Sequence, residues 1–258
     1  MKAAAVIAAR MGSSRLPGKC LMPILGKPML ERMLERVRAS RHIGDIVIAT
    51  TELAEDAAIV DLAARVGVRC FRGSVDDVLG RIAAAATSSG AEEVVELLGD
   101  NPLVHGDLID EVVEYFRGGA YDYAASITTE HPHAGPARHR FPIGIRVEVF
   151  PPAILAECAR TAREPRHREH TTSFIYEQPE RFRLGYFEAR GRWGGLHRPE
   201  LTFAVNYAEN LALVRRIFEH CHPRDPNFPL SEVIGAFDAD PALRPLMGTP
   251  RPTGVDRR

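Results

Sequence analysis

Cysteine is scarce in this chain, and the four present, Cys20, Cys70, Cys158 and Cys221, are scattered with no C-x-x-C spacing. That argues against a zinc ribbon and a disulfide framework, and makes a reducing cytoplasm the expected location. Net charge is nearly absent as well: 33 Lys and Arg against 34 Asp and Glu leave −1. No general field draws such a protein to nucleic acid or to an anionic membrane, so any anion must be met by local clustering. No uninterrupted apolar run reaches membrane-spanning length, and no basic leader precedes the first strand-like segment, so neither insertion nor secretion is expected. A single tryptophan, Trp193, offers no base-stacking series for single-stranded nucleic acid. Repeats, heptads and low-complexity blocks are missing too.

What is present is enough for one large α/β domain: 258 residues, 45% of them hydrophobic. The first half alternates strand-like and helix-like segments. Apolar "AAAVIAA" (3–9) reads as a buried strand. "MLERMLERVRAS" spaces Leu30, Met33, Leu34 and Val37 on one helical face. "DIVIATT" reads as a strand, "EDAAIVDLAARVG" as a helix closed by Gly67, and "VRCF" as a strand. "VDDVLGRIAAAATSSG" follows as helix, "EEVVELLGD" as a strand ending on Asp100, and "GDLIDEVVEYFRGG" as helix. Such alternation predicts a mostly parallel, doubly wound sheet. After about residue 121 Pro, His and Gly accumulate in "TTEHPHAGPARHRFPIG", which reads as a loop or arm leaving the core. Further on, "IRVEVF" and "FRLGYFEA" read as strands, "PAILAECARTA" and "HTTSFIYEQ" as helices, and "ELTFAVNYAENLALVRRIFEHC" as a strand handing over to a helix at Asn206. The end, "TPRPTGVDRR" (249–258), is expected to be disordered.

The densest chemistry lies in "AARMGSSRLPGK", where Arg10, Arg15 and Lys19 are set among Gly12, Ser13, Ser14 and Gly18 directly after the first strand. Ligands of a doubly wound sheet sit where loops leave the carboxyl ends of strands. Small residues let backbone N–H groups approach an anion, and the cations add charge-assisted contacts to phosphate. One such charge 4 Å from a phosphate oxygen contributes roughly 4 kcal/mol at an effective dielectric near 20, before desolvation. A solvated basic loop capping the next helix is the plainer alternative. The loop lacks both the G-x-x-x-x-G-K-[ST] and the G-x-G-x-x-G pattern.

Taken with "KPMLERMLERV", "FRGSVDDVLGR", "GDNPLV", "REHTTSFIYEQPERFRL" and "VNYAENLALV", the stretch "IAARMGSSRLPGK" resembles the sugar-activating cytidylyltransferases. The likeness is to the spore-coat polysaccharide proteins and to the CMP-ketodeoxyoctonate and CMP-acylneuraminate synthetases, and it runs from Val6 to about Val214. It implies a Rossmann-like nucleotidyltransferase fold in one domain (1–248), with a β-rich acceptor and dimerisation extension at about 127–190. It also implies a cytoplasmic homodimer that uses Mg²⁺ and CTP to activate a sugar, sugar acid or other small acidic or phosphorylated acceptor, with release of pyrophosphate. By resemblance, the nucleotide is met by Ala8, Ala9, Arg10, Met11, Gly12, Ser13, Arg15, Lys19, Arg72, Gly73, Ser74, Asp77 and Asp100. Arg10, Arg15, Lys19 and Asp100 carry the chemistry, Asp100 and Asn206 hold the metal, and Asn101, Arg146, Glu148, Glu169 and His170 face the acceptor.

Three motifs depart from the family pattern. Asn206 stands where a second metal-binding Asp is expected, with Asn210 replacing another acid; an amide carbonyl can ligate Mg²⁺ but brings no charge. Arg146 stands where relatives carry an acid, and a cation there suits a carboxylate or phosphate on the acceptor. Leu98 replaces a polar side chain, which loosens the case for cytosine. Two other functions stay open on the residues: a glycosyltransferase of related fold, whose D-x-D matches only Asp238 to Asp240, and a nucleotide binder without turnover. The pairs His131/His133 and His220/His222 lack zinc spacing and read as loop solvation and helix-end charge.

Overall fold

The computed structural model describes residues 2–248; the expected disordered stretch 249–258 lies outside the described residues. The described residues form nine strands: β1 (Ala3–Ala8), β2 (Pro23–Ile24), β3 (Lys27–Pro28), β4 (Ile43–Thr51), β5 (Arg69–Gly73), β6 (Val94–Leu98), β7 (Tyr123–Ser126), β8 (Glu148–Phe150) and β9 (Leu184–Phe187). The α-helices are α1 (Met29–Val37), α2 (Ala57–Val66), α3 (Val78–Ser88), α4 (Gly106–Gly118), α5 (Pro152–Thr161), α6 (Pro165–Glu169), α7 (Ser173–Tyr176), α8 (Ala208–Cys221) and α9 (Leu230–Ala239).

Seven strands form one sheet in the order β5-β4-β1-β6-β8-β7-β9, with β2 and β3 as a separate small hairpin. β8 runs antiparallel to both its neighbours, while the other pairings in the large sheet are parallel. β1 is central because its side chains are small and apolar and both faces are covered: Ala3, Ala5 and Ile7 join the core formed with α1, α2, α4, α8 and α9, and Val6 joins the core formed with α3 and α5. The amphipathic face of α1 is buried as its spacing predicts, and Gly67 closes α2 in the left-handed conformation at φ 67°.

From β1 the chain builds outward through β4 to β5, then returns to the other side of β1 to lay down β6. That reversal leaves a crevice between the carboxyl ends of β1 and β6, where a doubly wound sheet places its ligand. Gly99 permits the close approach there. Its N–H donates to the Ala8 carbonyl at 2.8 Å, and a Cβ would lie 2.8 Å from that oxygen.

The second half differs from its pattern. Residues 127–190 contribute β8 and β9 to the central sheet and α5–α7 beside it, so the segment holds more helix than strand. "IRVEVF" is strand only from Glu148 onward, because Gly144 takes φ 97° and brings the chain against residues 203 and 204. "ELTFAV" forms no regular strand; Phe203 and Val205 instead donate to the Ile143 and Asp100 carbonyls at 2.7 and 2.9 Å. Residues 168–170 close a helix rather than open one, since Pro165 at the first turn starts α6 upstream of them. His131 is buried and hydrogen-bonded, contrary to its reading as a solvated loop residue.

Candidate active site

The loop leaving β1 folds back on itself: the Ser13 and Gly18 N–H groups both donate to the Met11 carbonyl, at 2.8 and 2.9 Å. Gly18 sits at φ 72°, a turn that favours glycine, and this delivers Lys19 into a buried position. The loop is anchored by Asp56, which the sequence reading missed. Its carboxylate accepts from Met11 N–H at 2.6 Å and from the Thr51 N–H at 3.0 Å and hydroxyl. Burial pushes this carboxyl up, but those hydrogen bonds outweigh it and hold the group below its ordinary range. In sequence Asp56 looks like any acid at a helix start. Arg10 and Arg15 are exposed and make no ion pair among the described residues, and Arg15 lies 5.8 Å from the centre of the Tyr207 ring.

Across the crevice Lys19 Nζ donates to Asp100 Oδ2 at 2.8 Å and to the Val205 carbonyl at 2.6 Å. Asn206 is the next residue, so Lys19 bridges Asp100 and the backbone beside Asn206. Asn210 acts elsewhere. Its Oδ1 accepts from the Asn206 and Tyr207 N–H groups at 3.2 and 3.0 Å, and its amide nitrogen donates to the Leu246 and Met247 carbonyls. It caps α8 and docks the segment 241–247. Among the described residues no cluster of three or more His, Cys, Asp or Glu side chains could hold a metal alone.

The segment after β5 forms another wall. Gly73 ends the strand opposite Thr51. Asp77 caps α3 by accepting from Gly80 N–H at 2.8 Å, and its other oxygen pairs with Arg168. Ser74 Oγ accepts from Asp77 N–H at 3.1 Å. Arg72, expected among the nucleotide contacts, donates instead to the Thr51 and Leu53 carbonyls at 3.0 and 2.9 Å. These bonds splint the loops after β4 and β5 together.

Beside the crevice lies a cleft of about 110 Å³ whose lining includes Ala8, Glu96, Leu98, Arg146, Glu169 and His170. Glu169 and His170 are exposed, whereas Asn101 is buried. Beneath Arg146 lie Glu148, expected to face the acceptor but fully buried, and Glu96, which the sequence reading did not single out. The two residues face one another across the β6–β8 pair, and both are buried. Arg146 Nη2 approaches Glu148 Oε2 at 3.5 Å, and Nη1 lies 3.9 Å from Glu130. Thr172 Oγ1 donates to Glu148 Oε1 at 3.1 Å, with Tyr123 hydroxyl also bonded there. His131 Nδ1 accepts from Thr128 N–H at 3.2 Å, so in the neutral ring Nε2 carries the proton and donates to Glu148 Oε1 at 3.3 Å. Burial would raise Glu148, but Arg146 and these donors bring its carboxyl down to about 2. Glu96 has only the Thr171 hydroxyl, and burial together with the Glu148 charge pushes it up to about 8. Only the cross-strand register could have exposed Glu96, since it reads as one more residue of a strand.

The remaining D-x-D lies at the end of α9, not of a central strand, with Asp238 paired to Arg198 and Asp240 to Arg216. Among the described residues, the D-x-D that a glycosyltransferase reading needs is therefore not at the crevice.

The model of the family described as cytidylyltransferase matches residues 4–203. The spore coat polysaccharide biosynthesis protein SpsF of Bacillus subtilis is 28% identical over 243 residues, covering 92% of this chain and 94% of that one. The 3-deoxy-manno-octulosonate cytidylyltransferase of Geobacter sulfurreducens is 37% identical over 115 residues, 44% of each chain. A solved cytidylyltransferase of Leptospira borgpetersenii superposes with a TM-score of 0.84 at 25% identity, over 96% of this chain and 98% of that one. With three cations and one acid gathered at the switch point of a nucleotidyltransferase sheet, and a family match across most of its length, the chain belongs to the cytidylyltransferases, enzymes that use CTP as nucleotidyl donor.

Proposed function

We propose that this cytidylyltransferase joins CMP to an oxygen of a small sugar acid, with Mg²⁺ as the divalent ion, as a homodimer in the cytoplasm. The observation that carries the reading is the Lys19–Asp100 pair at 2.8 Å, flanked by Arg10 and Arg15, which have no acid partner among the described residues. Those cations bind and orient the triphosphate, and Gly12, Ser13 and the neighbouring backbone lie close to it. An acceptor oxygen attacks the α-phosphorus, the bond from that phosphorus to the bridging oxygen breaks, and pyrophosphate leaves with the electron pair. Positioning and charge neutralisation are the main demands of such a step.

A divalent ion suits the donor set. Asp100 Oδ1 accepts no hydrogen bond among the described residues, and Asn206, which follows the Val205 that Lys19 reaches, carries a hard amide oxygen. When bound, the ion supplies charge to the phosphate oxygens and polarises the reacting phosphorus. Arg146 makes no hydrogen bond among the described residues and is held over Glu148 by charge alone, which leaves its N–H groups for an acceptor carboxylate. The acid named for the Geobacter relative, 3-deoxy-manno-octulosonate, has such a group. Glu169 and His170, which line the cleft, orient the acceptor hydroxyls, and His170 takes the hydroxyl proton; the buried Asn101 does not reach the cleft. Four free cysteines are consistent with a reducing compartment, and among the described residues no helix is long and apolar enough to cross a membrane.

Pyrophosphate release from each of the four nucleoside triphosphates, with a panel of acidic sugars, tests the reading. CTP with a sugar acid should be the productive pair, and Asp100→Ala should abolish metal-dependent release. Equal rates in Asp100→Ala would remove the assignment, and unchanged turnover of His170→Ala across neutral pH would remove the base.

A further inference from the structure

The metal position in this protein carries an unusual charge balance. Its single carboxylate, Asp100, is already neutralised by Lys19 Nζ at 2.8 Å. Lys19 is 8% exposed, and a second hydrogen bond to the Val205 carbonyl at 2.6 Å fixes its ammonium between Asp100 and the residue preceding Asn206. Asn206 contributes no charge. Arg10 and Arg15 stand at the same sheet edge without acid partners among the described residues, and the nearby Asp56 spends both carboxylate oxygens on Met11 and Thr51. A divalent ion therefore meets, in the nucleotide-free crevice, a carboxylate already paired with an ammonium. A triphosphate gives Lys19 competing anionic partners and supplies hard oxygens around that carboxylate.

We infer that Lys19 stands in for the divalent ion at Asp100 in the free enzyme, so that metal enters only together with the nucleotide. The inference rests on the nucleotide and metal reading proposed above and adds an order of assembly to it. Transfer of Lys19 from Asp100 to phosphate releases Oδ2 at the moment the phosphates arrive. Binding is consequently coupled: nucleotide raises the affinity for metal, and metal must raise the affinity for nucleotide by the same factor.

The test is a Mn²⁺ titration of the full chain followed by electron paramagnetic resonance, without nucleotide and with a non-hydrolysable α,β-methylene analogue of CTP. Wild type without nucleotide should leave Mn²⁺ free up to about 1 mM, and with the analogue it should take up Mn²⁺ in a protein-bound signal that Asp100→Asn removes. Lys19→Met and, independently, Asn206→Asp should each raise nucleotide-free Mn²⁺ affinity at least tenfold, the first by removing the competing cation and the second by adding a charge. Should Lys19→Met fail to fold, Asn206→Asp alone decides. Nucleotide-free binding by wild type at or below about 0.1 mM that Asp100→Asn abolishes would overturn the inference while leaving the functional reading intact. Failure of the analogue to bind at any metal concentration would instead overturn the functional reading, and the inference with it.

Discussion

Glu96→Gln should make the protein more stable, and only at high pH. Glu96 and Glu148 oppose each other across β6 and β8 with 2% and 0% of their surfaces exposed. Arg146 answers Glu148 at 3.5 Å, while Glu96 has no ion pair among the described residues. The folded state therefore holds the Glu96 proton, with the carboxyl raised from 4.5 to about 8 chiefly by burial and then by the Glu148 charge. A raised acid stabilises the fold fully below its unfolded value and loses that contribution as pH rises toward the folded value. Because each pH unit corresponds to about 1.4 kcal/mol, the loss between pH 4.5 and about 8 has a ceiling of about 5 kcal/mol, comparable with the whole stability of many domains. Glutamine keeps the shape and an acceptor for Thr171 but cannot ionise. Urea unfolding at pH 5, 7 and 9 should show the two proteins nearly level at pH 5 and the variant ahead by several kcal/mol at pH 9. A difference independent of pH, or a wild type that leads at pH 9, would refute the buried-carboxylate reasoning.

The opposite substitution should have the opposite sign. Glu148→Gln strands Arg146 and should cost about 3 kcal/mol or more at neutral pH; the penalty should shrink as acid protonates the wild-type carboxyl near its value of about 2, read by the same urea midpoints. Arg15→Ala and Lys19→Ala should each weaken CTP binding about tenfold or more, and the Arg15 effect should fade in high salt because Arg15 is exposed; isothermal titration at two ionic strengths checks this. Gly144→Ala should destabilise by about 2 kcal/mol or more, since a Cβ at φ 97° would lie 2.3 Å from Ala204 N; thermal melting measures it.

Much of the first half was legible as pattern. The face spacing of α1 and the closure of α2 at Gly67 are local features, set by periodicity and by backbone preference, and each appears at its expected place, while the strand expected to end on Asp100 stops at Leu98. The cationic loop announced itself because three permanent charges among small residues suit few structural purposes. Beyond residue 121 the reading weakened. Gly144, Pro165 and the pairing of residues 143, 203 and 205 depend on which distant backbone is nearby, and β8 joins the sheet through contacts that no local period records.

The residues alone marked the cationic loop, the acid after β6 and the family, because the groups that carry the likeness lie close together in the chain. Tertiary structure alone decided what those groups do to one another. It set Lys19 against Asp100 across 81 positions of sequence, turned Asp56 inward as the loop's anchor and placed Glu96 opposite Glu148. Electrostatic pairing depends on distance and burial, and both are properties of the folded chain rather than of spacing along it.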